Sequence, residues 1–188
     1  FNEIVVQEEA REILEQFGIR TELYEEGYYT ADAVESVTSI CSAACRAGAK
    51  IFNCVSVEDV IIREGSVNGL VITWSPVEIA GLHVDPLTIG AKKVIDSTGH
   101  DTEVLHVIAR KADMKLNTPD GKVQGERSMW ADRAERLTIE NTREICNNVY
   151  VAGMSANAAF GGPRMGPIFG GMLLSGKKAA ESILGKDL

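Results

Sequence analysis

The sequence predicts an α/β fold, a mixed sheet with a β-hairpin inserted between strands of parallel type. Three observations carry this. Short apolar runs at 50–55, 93–96 and 150–152 alternate with stretches of helical periodicity. Two further strand-like runs, at 58–63 and 70–74, are joined through Gly65 and Asn68-Gly69. Two of the strands end in small and polar residues, Asp96-Ser97-Thr98-Gly99-His100 and Val151-Ala152-Gly153-Met154. In open α/β sheets ligands sit outside the carboxyl ends of the strands, so chemistry is sought there.

Taken in order, residues 7–17 form a helix, with Ala10, Ile13, Leu14 and Phe17 on one face and Gly18 as its stop. A second helix runs over 30–48 from Thr30 as N-cap, with Val34, Val37, Cys41, Ala44 and Cys45 as its apolar stripe. The run at 50–55 reads as a buried strand, and the hairpin comes after it. Pro76, Gly81, Pro86 and Gly90 make 75–91 a loop with short pieces of structure. A strand at 93–96 is ended by Ser97-Thr98-Gly99, and 101–112 is helical. Residues 113–148 are polar, turn at Pro119-Asp120-Gly121 and read as a surface excursion. Val149 leads into a strand at 150–152. A glycine-rich loop comes next, then a helix over 167–184 with Pro167 at its first position.

At 188 residues the chain is one domain by length, 1–188, with 45% hydrophobic and 24% charged residues. A net charge of −8 without a Lys/Arg run argues against nucleic acid as a partner. No apolar stretch approaches the roughly 20 residues of a membrane span, and no secretory signal opens the chain. Cys41, Cys45, Cys54 and Cys146 lack zinc-site spacing and are expected as reduced, mostly buried thiols of a cytoplasmic protein.

Three constellations can carry chemistry. From Gly153 to Gly171 the chain holds six glycines, two prolines and Arg164 between a strand and a helix. Backbone can approach a ligand closely there, and the guanidinium can grip a carboxylate or phosphate with two parallel bonds. A tight turn with a surface arginine is the plainer alternative. The second constellation is His83-Val84-Asp85-Pro86 with His100-Asp101. Asp85 and His100, a carboxylate and an imidazole, suit a first-row metal if the loops flanking the 93–96 strand converge. Otherwise they are a turn aspartate and a strand-end histidine. His106, the third histidine, is read as structural. The third is Val57-Glu58-Asp59, placed where such folds offer backbone groups to an adenine edge, although strand-flanking acids are more often solvated.

These segments together resemble the thiamine thiazole synthase family, particularly its archaeal, sulfide-using branch. The likeness rests on FNEIVVQEEA at 1–10, GYYTADAVE at 27–35, IFNCVSVEDV at 51–60, HVDP at 83–86, STGHD at 97–101 and VYVAGMSANAAFGGPRMGPIFGGMLLSGKKAA at 149–180. It implies a three-layer dinucleotide-binding fold similar to flavoprotein reductases, here lacking its first βαβ part. It implies that NAD is consumed as a substrate: its ribose, glycine and a sulfur source become an adenylated thiazole carboxylate. By the resemblance, Asp85 and His100 match the ligands of Fe(II), Arg164 the residue holding the glycine carboxylate, and Val57, His83, Val84, Asp85 and Met154 contacts of the NAD-derived ligand. At the place of His83, eukaryotic relatives carry a cysteine that gives up its own sulfur. A histidine there implies free sulfide and repeated turnover, with His83 as the catalytic position. The resemblance also implies a homo-oligomer, an octamer in relatives, and an N-terminal segment as a separate piece or partner. The competing readings are a flavin or NAD oxidoreductase of the same fold, a sugar-phosphate isomerase, and an inactive fragment that needs a partner chain.

Overall fold

The computed structural model describes residues 2–112 and 114–185. Its strands form three three-stranded sheets among these residues, where the sequence led us to expect one mixed sheet. The first contains strands that the sequence reading missed. β1 (Glu3–Gln7) pairs antiparallel with β3 (Tyr28–Asp32), which also pairs with β2 (Glu22–Glu25). α1 (Glu8–Gln16) succeeds β1 directly and buries Ala10, Ile13 and Leu14, as its periodicity requires. Gly18, at φ +71, lies just past its end.

α2 (Ala33–Arg46) starts later than expected, because 28–32 is used as strand. Its N-cap is Asp32, whose carboxylate accepts from the Glu35 N–H at 2.7 Å, and Thr30 lies inside β3. The α2 stripe does not face the core. Val34 and Val37 are 57% and 61% exposed, and Cys41 and Cys45 are exposed as well. Only Ile40 of this helix reaches the cluster built on Val6, Ala10, Leu14 and Ala31.

The run at 50–54 is not a strand: Ile51 and Phe52 are exposed, and Cys54 turns the chain with φ +55. β4 (Val55–Arg63) and β5 (Ser66–Trp74) form the expected hairpin with longer strands. Its turn is Glu64-Gly65, both at positive φ (+51 and +71), as a two-residue type I′ turn demands. Gly69 instead sits within β5 at φ +154. A Cβ there would lie 2.1 Å from the carbonyl oxygen of Ile89, so glycine lets β6 (Leu87–Gly90) close on β5. Between them run α3 (Ser75–Ile79) and a stretch without regular secondary structure at 82–86.

The third sheet holds the strand ends of interest. β7 (Val94–Asp96) lies parallel to β9 (Val149–Val151), and β8 (Arg143–Cys146) pairs antiparallel with β9. α4 (Glu103–Lys111) comes after β7. Leu105 and Ile108 from α4, Ile145 from β8, Val149 and Val151 from β9, and Val60 and Val67 from the hairpin share one core. Truncating any of the larger side chains to alanine would cost about 2–5 kcal/mol.

Of the segment expected as a surface excursion, residue 113 lies outside the described residues and 114–148 is not an excursion. It contributes β8 and α5 (Ala131–Asn141), which buries Ala134, Glu135 and Thr138. Small and polar residues make up that buried face, so the apolar periodicity is weak. The glycine-rich segment likewise is not all loop: 154–160 is α6 (Met154–Phe160), and the last helix, α7 (Gly170–Ile183), starts later than Pro167. Among the described residues no helix is long and apolar enough to cross a membrane.

Candidate functional site

The parallel pair β7 and β9 brings its two carboxyl ends together, with Asp96 opposite Val151 and the Ala152 N–H donating to the Asp96 carbonyl at 3.1 Å. The side chain of Asp96 is fully buried and organises the turn at 97–102. It accepts from the Thr98 N–H (3.0 Å), the Thr98 hydroxyl (2.7 Å) and the Leu105 N–H (3.1 Å). Ser155 Oγ, from α6, lies 3.1 Å from Asp96 Oδ1 and 2.9 Å from the Gly99 carbonyl, and shares its one proton between them. A buried carboxylate persists only when so satisfied. The chain therefore wraps round Asp96 as a 3-10 turn, Gly99–Asp101, and enters α4 through Thr102 in the left-handed region at φ +41. His100 is carried on that turn.

After β9, Gly153 turns at φ +61 and its N–H donates to Ser175 Oγ at 2.7 Å. Met154, half-buried, is the first residue of α6. Beyond α6 the chain runs beside segment 124–130. Gln124 N–H donates to Ala159 (3.1 Å), Arg127 N–H to Gly162 (2.9 Å), Arg164 N–H to Arg127 (3.0 Å) and Trp130 N–H to Arg164 (3.1 Å). Gly162 is required here, since a Cβ would come within 2.8 Å of the Asn157 side chain. This strapping sets Glu126 against Arg164, whose Nη1 donates to Glu126 Oε1 at 3.1 Å. Glu126 Oε2 lies against His100 Nδ1 as an ion-pair contact; that nitrogen is shut away from solvent and makes no hydrogen bond among the described residues.

The fold thus brings His100 and Arg164 to one carboxylate, Glu126, which the sequence reading missed. Nothing in a polar stretch read as surface marked it. His83, Val84 and Asp85 lie on the exposed 82–86 stretch, and Asp85 makes no hydrogen bond or ion pair among the described residues. Among those residues no group of three or more His, Cys, Asp and Glu is placed to hold a metal. The donors that remain, an imidazole backed by a carboxylate and a free aspartate, suit a first-row metal in kind.

Val57 is half-buried on β4 and packs against the main core. Asp59 is spent on Lys111 (2.7 Å), which holds its carboxyl below the usual range. His106 is exposed on α4 and packs no core. The expectation of mostly buried thiols is also corrected: Cys41, Cys45 and Cys54 are exposed. Cys146 alone is buried, and burial pushes its thiol up to about 11.

Residues 1–169 match the model of the Thi4 family. The chain belongs to the Thi4 family. Two Thi4 relatives, the thiamine thiazole synthases of Methanothermobacter thermautotrophicus and Desulfosudis oleivorans, are 62% and 61% identical to it. The first match covers 99% of this chain and 72% of the relative, the second 98% and 71%. The crystal structure of Thermovibrio ammonificans THI4 superposes with a TM-score of 0.94 at 53% identity, over 99% of this chain and 72% of that one. The mixed α/β arrangement is therefore that of a Thi4 protein, and the chain is an enzyme of thiamine biosynthesis.

Proposed function

We propose that this thiazole synthase condenses the ribose of NAD, glycine and sulfide into an adenylated thiazole carboxylate, with Fe(II) held by Asp85 and His100. The observation that carries the reading is the convergence of His100 and Arg164 on Glu126 at the ends of β7 and β9. It sets a metal-type nitrogen beside a guanidinium, which is what joining a carboxylated amine to a metal-assisted sulfur transfer calls for.

Arg164 takes the glycine carboxylate. Its side chain is 54% exposed and pairs through Nη1 alone, so the Nε–Nη2 edge is open to a second carboxylate. Val57, Val84 and Met154 contact the NAD-derived ligand, Val57 through its backbone, since its side chain is packed inward. His83, on the exposed stretch, is the catalytic position. Asp85 and His100 would hold the iron, which would supply a Lewis-acidic centre beside the Arg164 anchor.

An N-terminal dinucleotide-binding segment belongs to this reading, and the outward apolar face of α2 offers it a surface. So do a homo-oligomer and a cytoplasmic setting. The experiment is anaerobic incubation of the complete enzyme with NAD, glycine, sulfide and Fe(II), followed by mass analysis of small molecules released on denaturation. An adenylated thiazole carboxylate is expected. A flavin in its place would favour the oxidoreductase of the same fold and sink this reading.

A further inference from the structure

We infer that Glu126 is the positioning residue of the site, one carboxylate that aims both the arginine and the histidine. The inference rests on the reading of Arg164 as carboxylate anchor and His100 as metal ligand. Each oxygen of Glu126 is committed, Oε1 to Arg164 Nη1 at 3.1 Å and Oε2 to His100 Nδ1.

The groups that Glu126 leaves free matter as much as those it holds. Of the five guanidinium N–H groups, only those on Nη1 face it; Nε and Nη2 donate to no group among the described residues. That is the edge that accepts a carboxylate with two parallel bonds. On the histidine, Glu126 Oε2 lies against Nδ1, which leaves Nε2 as the open nitrogen of the ring. A ligating histidine regularly has its second nitrogen on a carboxylate in this way, which sets tautomer and orientation together.

Glu126 is itself held from behind. The backbone bonds that strap 124–130 to 159–164 fix its Cα relative to that of Arg164, and Gly125 turns the chain into it at φ +74. Its side chain is 30% exposed and that of His100 is 23% exposed, so this contact is partly shielded from water, while the Arg164 pair opens to solvent. Glu126 touches neither substrate nor metal in this role; it acts through the two groups it orients.

The test uses Glu126→Gln, which keeps the shape and one acceptor oxygen, and Glu126→Ala, which removes both. In the complete enzyme, Glu126→Gln should raise the glycine KM about fivefold, and Glu126→Ala further, with the NAD KM little changed. The preference for glycine over glycinamide, which lacks the carboxylate, should shrink in parallel. Co(II) affinity, read from its visible absorption, should fall about tenfold in both variants. Melting temperature serves as the control for folding, and a Glu126→Gln protein that melts like the parent is the one read.

An unchanged glycine KM or an unchanged Co(II) affinity in that variant overturns the joint role. If Arg164→Lys raises the glycine KM while Glu126→Gln does not, Arg164 stands and Glu126 falls. If Arg164→Lys also leaves the glycine KM unchanged, the carboxylate anchor itself is wrong. A parent enzyme that takes up no Co(II) overturns both the metal assignment and the histidine half of this role.

Discussion

Arg164 Nη1 donates to Glu126 Oε1 at 3.1 Å, between two segments whose backbones are already bonded side by side. The guanidinium is therefore fixed at one corner and open along its other edge. A lysine in its place keeps the charge and loses the fork. We expect Arg164→Lys to weaken glycine use by about 1.5–3 kcal/mol, roughly ten- to a hundredfold in kcat/KM for glycine. Steady-state kinetics with glycine varied at saturating NAD measures this, and an unchanged value would remove the anchor.

Asp96 is the residue on which the His100 turn is built. It is fully buried and takes hydrogen bonds from Thr98, Leu105 and Ser155. In Asp96→Asn one acceptor oxygen becomes a donor, facing N–H or O–H groups that also donate. We expect a loss of about 2–4 kcal/mol in stability, as for a broken buried network. Hydrogen exchange should rise first at 97–105. Equilibrium denaturation against the parent checks the magnitude, and a loss below about 0.5 kcal/mol, within the range of ordinary surface changes, would show that Asp96 does not organise this turn.

These two residues also show how far the sequence could be read. The strand ends at Asp96 and Val151 were legible because short apolar runs stop there in small and polar residues, and β7 and β9 do lie side by side. His100 and Arg164 stood out in the sequence as an imidazole and a guanidinium, and the fold brings both to Glu126. Glu126 was not, because its place depends on backbone bonds between 124–130 and 159–164 that no local pattern announces. α5 was hidden because its buried face is alanine, threonine and a glutamate. The α2 stripe misled in the opposite sense: its periodicity is real, but Val34 and Val37 point outward. Periodicity marks a face and leaves open what covers it.

Glu135 gives a pH prediction. Its side chain lies within the fold, Oε1 accepts from the Gly171 N–H at 3.0 Å, and Oε2 has no partner among the described residues. Burial, above all, raises its pKa, with Asp132 adding repulsion and the Gly171 bond opposing. The folded state therefore holds this proton more tightly than the unfolded chain. The resulting stability is fully present below the ordinary carboxyl value near 4.5 and is lost as pH rises through the raised one. Glu135→Gln imitates the protonated acid. We expect it to match the parent near pH 4.5 and to melt higher at about pH 7 to 8. Melting curves that run parallel across that window would show that Glu135 is not the titrating group.

We expect free sulfide, not a protein thiol, to supply the sulfur, because position 83 is a histidine. A protein thiolate can donate sulfur because its carbon–sulfur bond can break after attack on an electrophilic intermediate, leaving dehydroalanine. An imidazole has no sulfur to give. The four thiols are poor substitutes by position. Cys41 and Cys45 lie on α2, Cys54 precedes β4, and none belongs to the 75–101 segment that carries His83, Asp85 and His100. Cys146, with its thiol pushed up to about 11 by burial, is not a thiolate at neutral pH. Exposure alone would let Cys41, Cys45 and Cys54 react with reagents, so blocking them is informative. We expect the complete enzyme to turn over many times with sulfide and Fe(II) under anaerobic conditions, with no change in protein mass. Alkylation of the exposed thiols should leave most of that turnover. A His83→Cys variant places a sulfur where the eukaryotic relatives have theirs, and some product should then form without added sulfide, once per chain. A cysteine of the unsubstituted enzyme converted to dehydroalanine in step with product would falsify the assignment of sulfide as donor.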